Sequence, residues 1–399
     1  MKRVLILDTP SRFTRFGGEQ RIAALLYKGL AKRFKTYYLG SETGFLRADA
    51  NTFIIPHVEG GKKSRVYDNF LVRMAYYTIM IKRLGHLKEH MPRIITWLES
   101  IKPDVIIDNS VQDYRLSLLV RETAPRAKRI YIDHGSISTL KEGSVLHSQN
   151  IPLSLGTGIN GVTLESLKRQ FFSSYDLCVA LNMEQLEQMR RYTSKVAYIP
   201  NGIELPAKVD KTLMGRVRER YGVAEKDFVV MNIGRMFDRQ KNISTLIKAF
   251  RTVKEGGIKL VLVGTGPDLH SFMELAKGDD RIIFVGSLSE MEINAMYEIA
   301  DLFVLPSIWE GLPLTLLEAA NHKLPIAISR NIYFDDFKRK RIRLHTFDPY
   351  STEEIRDTIL AYLKSAAKRK AAQRESARIS KEFSLAAMLK IYIEKIGKL

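Results

Sequence analysis

The 399-residue chain contains one cysteine, Cys178, and no apolar run that approaches the length of a membrane span. A single thiol excludes an intramolecular disulfide and a cysteine-based zinc site, and it fits a reducing cytoplasm. Cys178 lies in an apolar segment, as is typical of a buried structural thiol. A transmembrane helix needs about 18–20 apolar residues. The N-terminus also lacks the features of a signal peptide, so we expect a cytoplasmic protein.

Acidic residues are scarce relative to basic ones, with 44 Asp and Glu against 63 Lys and Arg and a net charge of +19. The excess is larger in residues 1–200, which hold 30 basic and 18 acidic residues. The positive electrostatic field of such a protein attracts nucleic acid, anionic lipid or phosphorylated substrates, and it does not indicate which of them binds. The chain lacks the aromatic signatures of known nucleic-acid modules, so we expect no nucleic-acid partner.

Short runs of Val, Ile and Leu alternate with amphipathic segments along the whole chain, which indicates an α/β protein with parallel sheets. The length exceeds that of one ordinary hydrophobic core. We therefore predict two doubly wound domains joined near residue 202. The predicted strands are Val4–Leu7, Thr36–Leu39, Asp104–Ile107, Arg129–Ile132, Leu177–Ala180, Ala197–Ile199, Phe228–Ile233, Lys259–Val263, Ile282–Val285, Leu302–Leu305 and Pro325–Ile328.

Ligands of such sheets bind beyond the carboxyl ends of the strands. Strand Phe228–Ile233 ends in Gly234 and Arg235, and Lys241 follows six residues later. The glycine permits close approach of a ligand, and the two cations suit a diphosphate. Two solvated surface cations are the alternative. The next strand ends in a second glycine-rich turn, with Gly264 and Gly266, which is a weak signal by itself.

The strongest signal is the segment Trp309–Ala320, which follows strand Leu302–Leu305. Pro313 predicts the start of a helix, and the N–H groups of Leu314 and Thr315 then lack helical acceptors and form an anion site. Glu310 precedes this helix and Glu318 lies within it. The loop therefore offers phosphate donors between two carboxylates that are able to accept hydrogen bonds from hydroxyl groups.

These patterns resemble the retaining glycosyltransferases of family 4. The resemblance is carried by Glu310-x7-Glu318, Gly234-Arg235 with Lys241, Gly264-Thr265-Gly266, Phe284-Val285-Gly286 and the hinge Ile199-Pro200-Asn201-Gly202-Ile203-Glu204. It implies the GT-B fold, in which two Rossmann-like domains face a central cleft. The implied domains are an acceptor-side domain over 1–201, a nucleotide-sugar-binding domain over 202–383, and a terminal helix over 384–399 that crosses back to the first domain.

The resemblance also implies roles for individual residues. Arg235 and Lys241 would bind the donor diphosphate, Glu318 the ribose, and Glu310 the hydroxyls of the transferred sugar. Ser287 and Leu288, which follow Gly286, would border the base. The expected donor is a nucleotide-diphosphate sugar, with a UDP-sugar as our choice, and neither a further cofactor nor a metal is expected. We interpret the acidic pairs Asp279-Asp280 and Asp335-Asp336 as solvated rather than metal-binding.

Two features of the first half match the same family. Gly17 and Gly18 open a helix after the first strand, in the family's glycine-rich loop that faces the donor phosphates and the acceptor. His134 follows strand Arg129–Ile132 and, by the resemblance, lies near the donor sugar as an active-site residue. A structural histidine is the alternative. We expect Asp133 to orient its ring.

Residues 62–93 hold eight Lys and Arg against two acidic residues and enclose the apolar stretch Tyr67–Leu84. One interpretation is a helix that binds an anionic membrane or a lipid-linked acceptor. The other is a core helix with a solvated basic face. The first would place the protein on the inner face of the cytoplasmic membrane.

The sequence departs from the family at Lys323, where many relatives have glycine, and over residues 330–345. The function that fits best is a retaining, metal-independent glycosyltransferase with a glycan or lipid-linked acceptor, in cell-surface polysaccharide or glycolipid synthesis. A nucleotide-sugar epimerase of similar fold and a non-catalytic protein that binds anions or membranes are the alternatives.

Overall fold

The computed structural model describes residues 1–8, 18–41, 46, 49–55, 86–109, 114–134, 164–332 and 335–399. The chain divides into two compact units. The first comprises Met1–Leu181, Gln185–Ile199 and Leu389–Leu399, and the second comprises Asn182–Glu184 and Pro200–Met388. Each unit contains its own parallel sheet.

The first unit has, in its described part, a seven-stranded parallel sheet of order β3-β2-β1-β4-β5-β6-β7. Its strands are β1 (Arg3–Leu7), β2 (Lys35–Ser41), β3 (Thr52–Ile55), β4 (Val105–Asp108), β5 (Lys128–Asp133), β6 (Leu177–Ala180) and β7 (Val196–Tyr198). The helices are α1 (Gly18–Leu30), α2 (His86–Ile101), α3 (Tyr114–Thr123), α4 (Leu164–Ser173) and α5 (Met183–Arg190).

The second unit has a six-stranded parallel sheet of order β10-β9-β8-β11-β12-β13. Its strands are β8 (Phe228–Ile233), β9 (Ile258–Val263), β10 (Ile282–Gly286), β11 (Leu302–Leu305), β12 (Ile326–Ser329) and β13 (His345–Phe347). The helices that follow α5 are α6 (Lys211–Arg220), α7 (Asp238–Lys241), α8 (Ile243–Arg251), α9 (Leu269–Ala276), α10 (Glu290–Ile299), α11 (Leu314–Asn321), α12 (Asp335–Arg339), α13 (Thr352–Lys364), α14 (Ala366–Glu382) and α15 (Leu385–Lys398), with a 3₁₀ turn at Arg330–Ile332.

Helices cover the sheets because each carries one apolar face. In α8 the buried side chains include Ile243, Leu246, Ile247 and Phe250, which follow helical periodicity. The strand they cover, β8, is buried along its whole length, as expected of a parallel strand with both faces covered. The predicted α/β class with doubly wound sheets is confirmed.

The chain end packs into the first unit. The Lys2 ammonium group donates to the carbonyl oxygens of Ile396 at 2.9 Å and Gly397 at 3.2 Å, both in α15. Helix α1 meets α15 at Gly29, where a Cβ atom would collide with the side chain of Leu389. A glycine at this position therefore lets the two helices approach closely.

The sequence prediction missed two edge strands, β3 and β13, because both are short and carry polar or half-buried residues. Strands β6, β8 and β11 have the predicted bounds. The predicted helix Tyr67–Leu84 lies outside the described residues, as do residues 333 and 334 of the segment 330–345 that departs from the family. Within the described part of the chain, no helix is long and apolar enough to cross a membrane.

The interpretation of two acidic pairs as solvated was wrong for two of the four residues. Asp336 is 3% exposed, and its carboxylate accepts a hydrogen bond from the Met183 amide at 3.0 Å. The Asp279 carboxylate, 12% exposed, forms an ion pair with Arg281 at 2.7 Å. The partner of Asp336 lies 153 residues earlier in the chain, whereas the partner of Asp279 lies two residues later. Both carboxylates therefore have structural partners.

Candidate active site

The predicted site residues of the second unit lie beyond the carboxyl ends of four neighbouring strands, β10, β9, β8 and β11. From β8 the chain first adds β9 and β10 on one side and later β11 on the other. Because the strand order reverses between β8 and β11, the gap between their carboxyl ends is the topological switch point, where open parallel sheets bind their ligands. Gly234, Arg235 and Lys241 follow β8, and Glu310 follows β11.

Glycines allow the loops after β8 and β9 to lie against each other. Gly264 has a φ of +133°, a conformation that side chains disfavour, and a Cβ atom there would collide with the Gly234 carbonyl. A Cβ atom at Gly266 would collide with the backbone of Met236. These glycines thus serve the packing of loop against loop, and they leave the ends of both strands open at the edge of the sheet.

Lys241 and Glu310 form the shortest ion pair of the site, with 2.6 Å between Nζ and Oε1. Their side chains are 15% and 8% exposed. The loop after β8 is thereby joined to the loop after β11. A carboxylate this deeply buried is stable because the ammonium group compensates its charge. The structure therefore brings together two residues to which the sequence assigned different parts of one ligand.

Arg235 is held nearby by two contacts. Its Nη2 donates to Oε1 of Gln240 at 3.2 Å, and its guanidinium carbon lies 5.2 Å from the centre of the Phe237 ring. The Gln240 side chain also donates to the Trp309 carbonyl at 3.3 Å, and the backbone carbonyl of Gln240 accepts from the Ile308 amide at 2.8 Å. Gln240 thus fixes the Arg235 loop to the Glu310 loop, a role that sequence reasoning missed.

Helix α11 begins as the sequence predicts, with Pro313 as its N-cap and Leu314 as its first residue. The Pro313 carbonyl accepts from the Leu316 amide at 3.2 Å. The hydroxyl oxygen of Thr315 is buried and has no hydrogen-bond partner among the described residues. The first turn therefore presents an unsatisfied hydroxyl together with the helix dipole's positive end, an arrangement suited to an anion.

Glu318, in the second turn of α11, is positioned by Tyr297 of α10. The tyrosine hydroxyl donates to Oε2 of Glu318 at 2.8 Å. The Tyr297 ring is 1% exposed and stacks on the His322 imidazole with 5.1 Å between ring centres. Sequence reasoning missed Tyr297 because it lies 21 residues before Glu318.

The loop between Glu310 and α11 is anchored by two asparagines. The Asn182 side chain donates to the Gly311 carbonyl at 2.8 Å, and the Asn201 side chain donates to the Leu312 carbonyl at 3.0 Å. Asn201 belongs to the segment that the sequence predicts as a hinge. Both donors hold backbone carbonyls, so they fix the course of the loop without occupying its open side.

Ser287 and Leu288 lie between β10 and α10, with Ser287 exposed and Leu288 half-buried. The helix that follows starts with a capping box, in which Ser289 and Glu292 exchange hydrogen bonds. The structure thus places both residues at the same edge of the sheet as the cations, two strands away from β8.

In the first unit, Gly18 begins α1, whereas Gly17 lies outside the described residues. His134 follows β5, as predicted, and its Nε2 lies 2.7 Å from Oδ1 of Asn109, which follows β4. Desolvation lowers the pKa of the His134 imidazole to about 4. The ring nitrogen is held by Asn109 rather than by Asp133, the orienting residue that the sequence suggested.

Asn109 itself belongs to a buried polar chain. Its Nδ2 donates to Oδ1 of Asp8 at 3.2 Å and to the Glu19 carbonyl at 3.0 Å. The Tyr38 hydroxyl donates to Oδ2 of Asp8 at 2.8 Å. Burial raises the pKa of the Asp8 carboxyl to about 7, although these hydrogen bonds act in the opposite direction.

Residues 215–379 match the family described as glycosyl transferases group 1. This segment is a group 1 glycosyltransferase domain. It contains every predicted site residue of the second unit, from Gly234 to Glu318. For these residues the resemblance to the group 1 glycosyltransferases is therefore confirmed.

Named relatives of the group 1 glycosyltransferase domain and its flanks act on lipid or glycan acceptors. The alpha-galactosylglucosyldiacylglycerol synthase of Streptococcus pneumoniae is 27% identical over 57% of this chain and 63% of its own length. The UDP-Gal:alpha-D-GlcNAc-diphosphoundecaprenol alpha-1,3-galactosyltransferase of Escherichia coli is 31% identical over 34% of this chain and 36% of its own length. The chain thus spans less than two thirds of the length of these relatives.

Solved structures extend the likeness over the whole chain. HepE from Anabaena, in complex with UDP and glucose, has a TM-score of 0.71 at 15% identity, and the match covers 100% of both chains. Sucrose-phosphate synthase from Thermosynechococcus elongatus has the same TM-score, identity and coverage. The predicted GT-B fold is confirmed by these neighbours together with the two parallel sheets.

Proposed function

We propose that the chain is a retaining glycosyltransferase that moves a hexosyl group from a UDP-sugar to a glycan or lipid-linked acceptor, in cell-surface polysaccharide or glycolipid synthesis. The observation that carries the proposal is the pairing of Lys241 with Glu310 beside Arg235 and the first turn of α11 with its unsatisfied Thr315 hydroxyl. Cations and helix amides suit a diphosphate, and the carboxylates suit sugar hydroxyls. One ligand contains both.

The reaction breaks the bond between the anomeric carbon and the diphosphate oxygen and forms a bond from that carbon to an acceptor hydroxyl on the same face. The acceptor proton passes to the leaving diphosphate. Negative charge grows on that diphosphate in the transition state, where Arg235, Lys241 and the α11 amides stabilise it. In this scheme the protein's own cations carry the charge, so a metal chelator leaves the rate unchanged.

Lys241 has a double role in this scheme. Its ammonium group offers three donors, of which one is directed to Glu310 in the structure. Another reaches a phosphate oxygen when the donor binds, while the Glu310 carboxylate accepts from a hydroxyl of the transferred sugar. The ion pair thereby couples recognition of the sugar to recognition of the diphosphate.

Calorimetric binding of UDP-, GDP- and ADP-sugars tests the donor site. We expect one of them, the UDP-sugar, to bind, and Arg235→Ala to weaken binding roughly tenfold to hundredfold through loss of charge-assisted hydrogen bonds. Arg239→Ala is the matched control, because Arg239 is an exposed arginine in the neighbouring helix α7. Equal losses in both variants, or no binding of any donor, would contradict the proposal.

Transfer itself is tested with vesicles that contain diacylglycerol, glucosyldiacylglycerol or an undecaprenyl-diphosphate-linked sugar, which belong to the lipid classes in the relatives' names. We expect release of UDP only with one of these acceptors, and an α-linked product by NMR from an α-linked donor. Conversion of the donor in the absence of any acceptor would instead support an epimerase.

The membrane is the proposed place of action. The support is the net charge of +19 and the eight basic residues in 62–93, most of which lie outside the described residues. Polybasic segments bind anionic surfaces by roughly 1 kcal/mol per cation. Co-sedimentation with phosphatidylglycerol vesicles is expected to exceed that with phosphatidylcholine vesicles and to fall in high salt. Equal binding to both would overturn this placement.

A further inference from the structure

Three polar residues follow three neighbouring strands of the first sheet. Asp8 follows β1, Asn109 follows β4 and His134 follows β5, and these strands lie side by side in that order. Parallel strands bring their carboxyl ends to one edge, so residues that are distant in the chain become neighbours. Asp8 and Asn109 are each 1% exposed.

The Glu19 carbonyl determines which way the Asn109 amide faces. A backbone carbonyl only accepts hydrogen bonds, and it lies 3.0 Å from the Asn109 nitrogen. The amide nitrogen must therefore point toward Glu19, whatever the protonation state of Asp8. The amide oxygen then points toward His134, 2.7 Å from its Nε2.

An amide oxygen has no proton to donate, so the short contact requires a proton on Nε2 of His134. Desolvation lowers the pKa of this imidazole to about 4, which keeps the ring neutral near pH 7. A neutral imidazole has one N–H group. When Nε2 carries the proton, Nδ1 presents a lone pair and acts only as an acceptor.

We propose that Asn109 is a positioning residue that holds His134 as its Nε2–H tautomer, so that Nδ1 accepts a hydrogen bond from a hydroxyl of a substrate sugar. This inference rests on the proposed function for its ligand. Asp8 and Tyr38 extend the chain behind Asn109: Tyr38 and the amide both donate to the Asp8 carboxyl. The carboxyl polarises the amide and makes its oxygen a better acceptor.

The tautomer is read directly by NMR of the ¹⁵N-histidine-labelled full chain, without any ligand. We expect a pyrrole-type Nε2 with a slowly exchanging proton and a pyridine-type Nδ1 for His134 at neutral pH. A pyrrole-type Nδ1, or two protonated nitrogens, would overturn the proposal.

Variants test whether Asn109 is the cause. Asn109→Leu removes the acceptor at similar size, and Asn109→Ala removes it with less crowding should the first variant fold poorly. In either one the Nε2 proton is expected to exchange quickly with water. Thr36→Val is the matched control, because it deletes another buried hydrogen bond of the same unit, to the Tyr27 carbonyl. If the Nε2 proton still exchanged slowly without the Asn109 amide, Asn109 would not be the residue that holds the tautomer.

Kinetics separate positioning from general damage. We expect kcat for sugar transfer to fall roughly tenfold or more in Asn109→Ala, since misplaced contacts lose rate steeply. Affinity for UDP, which lacks the transferred hexose that would bond to Nδ1, is expected to stay unchanged, whereas a misfolded site would lose both. An unchanged kcat would refute the positioning role. Absence of transfer by the wild type would refute the proposed function alone, because the tautomer is measured without substrate.

Discussion

The two units carry polar clusters of opposite character at the carboxyl edges of their sheets. The second unit has an ion pair, Lys241 with Glu310, near a further cation. The first unit has a chain of directional hydrogen bonds through Asp8, Asn109 and His134, with a carboxyl and an imidazole that burial drives toward neutrality. A cluster of charged side chains suits a diphosphate, and a chain of directional hydrogen bonds suits an uncharged hydroxyl group. The same edge of the same kind of sheet therefore provides two different kinds of recognition.

The largest effect is expected when only one of the two charges of the Lys241–Glu310 pair is removed. Lys241→Ala leaves the Glu310 carboxylate, 8% exposed, without its counter-charge. We expect a loss of about 3 kcal/mol in the free energy of unfolding measured by urea denaturation. The double variant Lys241→Met/Glu310→Gln removes both charges and is expected to recover most of that loss.

The control for this experiment is Lys338→Ala, which breaks an ion pair with Asp335 whose side chains are 58% and 59% exposed. Exposed pairs contribute about 0–1 kcal/mol, so the control should change stability little. A loss as large as that of Lys241→Ala would mean that burial does not distinguish the two pairs.

The neutral cluster is tested by pH. The pKa of Asp8 is about 7 in the folded protein and above the ordinary value of 3.8. Between these values the folded state holds a proton that the unfolded state has released, so the contribution of Asp8 to stability declines as pH rises. Asp8→Asn cannot ionise. Its stability relative to the wild type is therefore expected to rise by on the order of 3 kcal/mol from about pH 4 to about pH 7.

Parallel urea denaturation of both proteins across that range measures this difference, and the lowered pKa of His134 is common to both and cancels. A flat difference would show that Asp8 is ionised in the folded protein. The first cluster would then be charged, like the second, and the contrast between the units would fail.

Within the second unit, Tyr297→Phe removes the hydroxyl that donates to Glu318 at 2.8 Å. We expect UDP to bind roughly tenfold more weakly, because a hydrogen bond to a charged group contributes about 1.5–3 kcal/mol. The 2′,3′-dideoxy analogue of UDP, which lacks the ribose hydroxyls, is the matched probe and should bind both proteins alike. A similar loss for both ligands would mean that Tyr297 acts through the packing of α11 instead.

The smallest effect concerns Lys323, which has a φ of +56° directly after α11. Its amide bonds to the Ala320 carbonyl at 2.9 Å and the next amide bonds to the Ala319 carbonyl at 3.0 Å, as in a helix-ending Schellman motif. Lys323→Gly is expected to stabilise the protein by about 1 kcal/mol. Both polar clusters should stay unchanged.

Lys248→Gly, at an exposed position inside α8, is the opposing control and should lose about 1 kcal/mol. A loss of stability in Lys323→Gly as well would show that the lysine side chain stabilises the protein by more than the left-handed backbone conformation destabilises it. The positive φ of Lys323 also explains why glycine is the residue expected at this position of the family.

Prediction from the sequence succeeded where the signal is local. Strands such as β8 are uninterrupted apolar runs, and Pro313 marks the start of α11. The strands β3 and β13 were missed because they have only four and three residues, most of them half-buried. The burial of Asp336 was missed because its partner, the Met183 amide, lies 153 residues earlier.

The sequence by itself determined the α/β class, the order of motifs at strand ends and the resemblance of residues 215–379 to the group 1 glycosyltransferases, since each depends on short-range patterns. Only the tertiary structure decided which side chains meet. It paired Lys241 with Glu310 across 69 residues and gave His134 the partner Asn109 rather than the adjacent Asp133. The physical reason is that parallel sheets align the ends of strands that are distant in the chain. Hydrogen bonds at those ends are thus set by strand order, which no local pattern encodes.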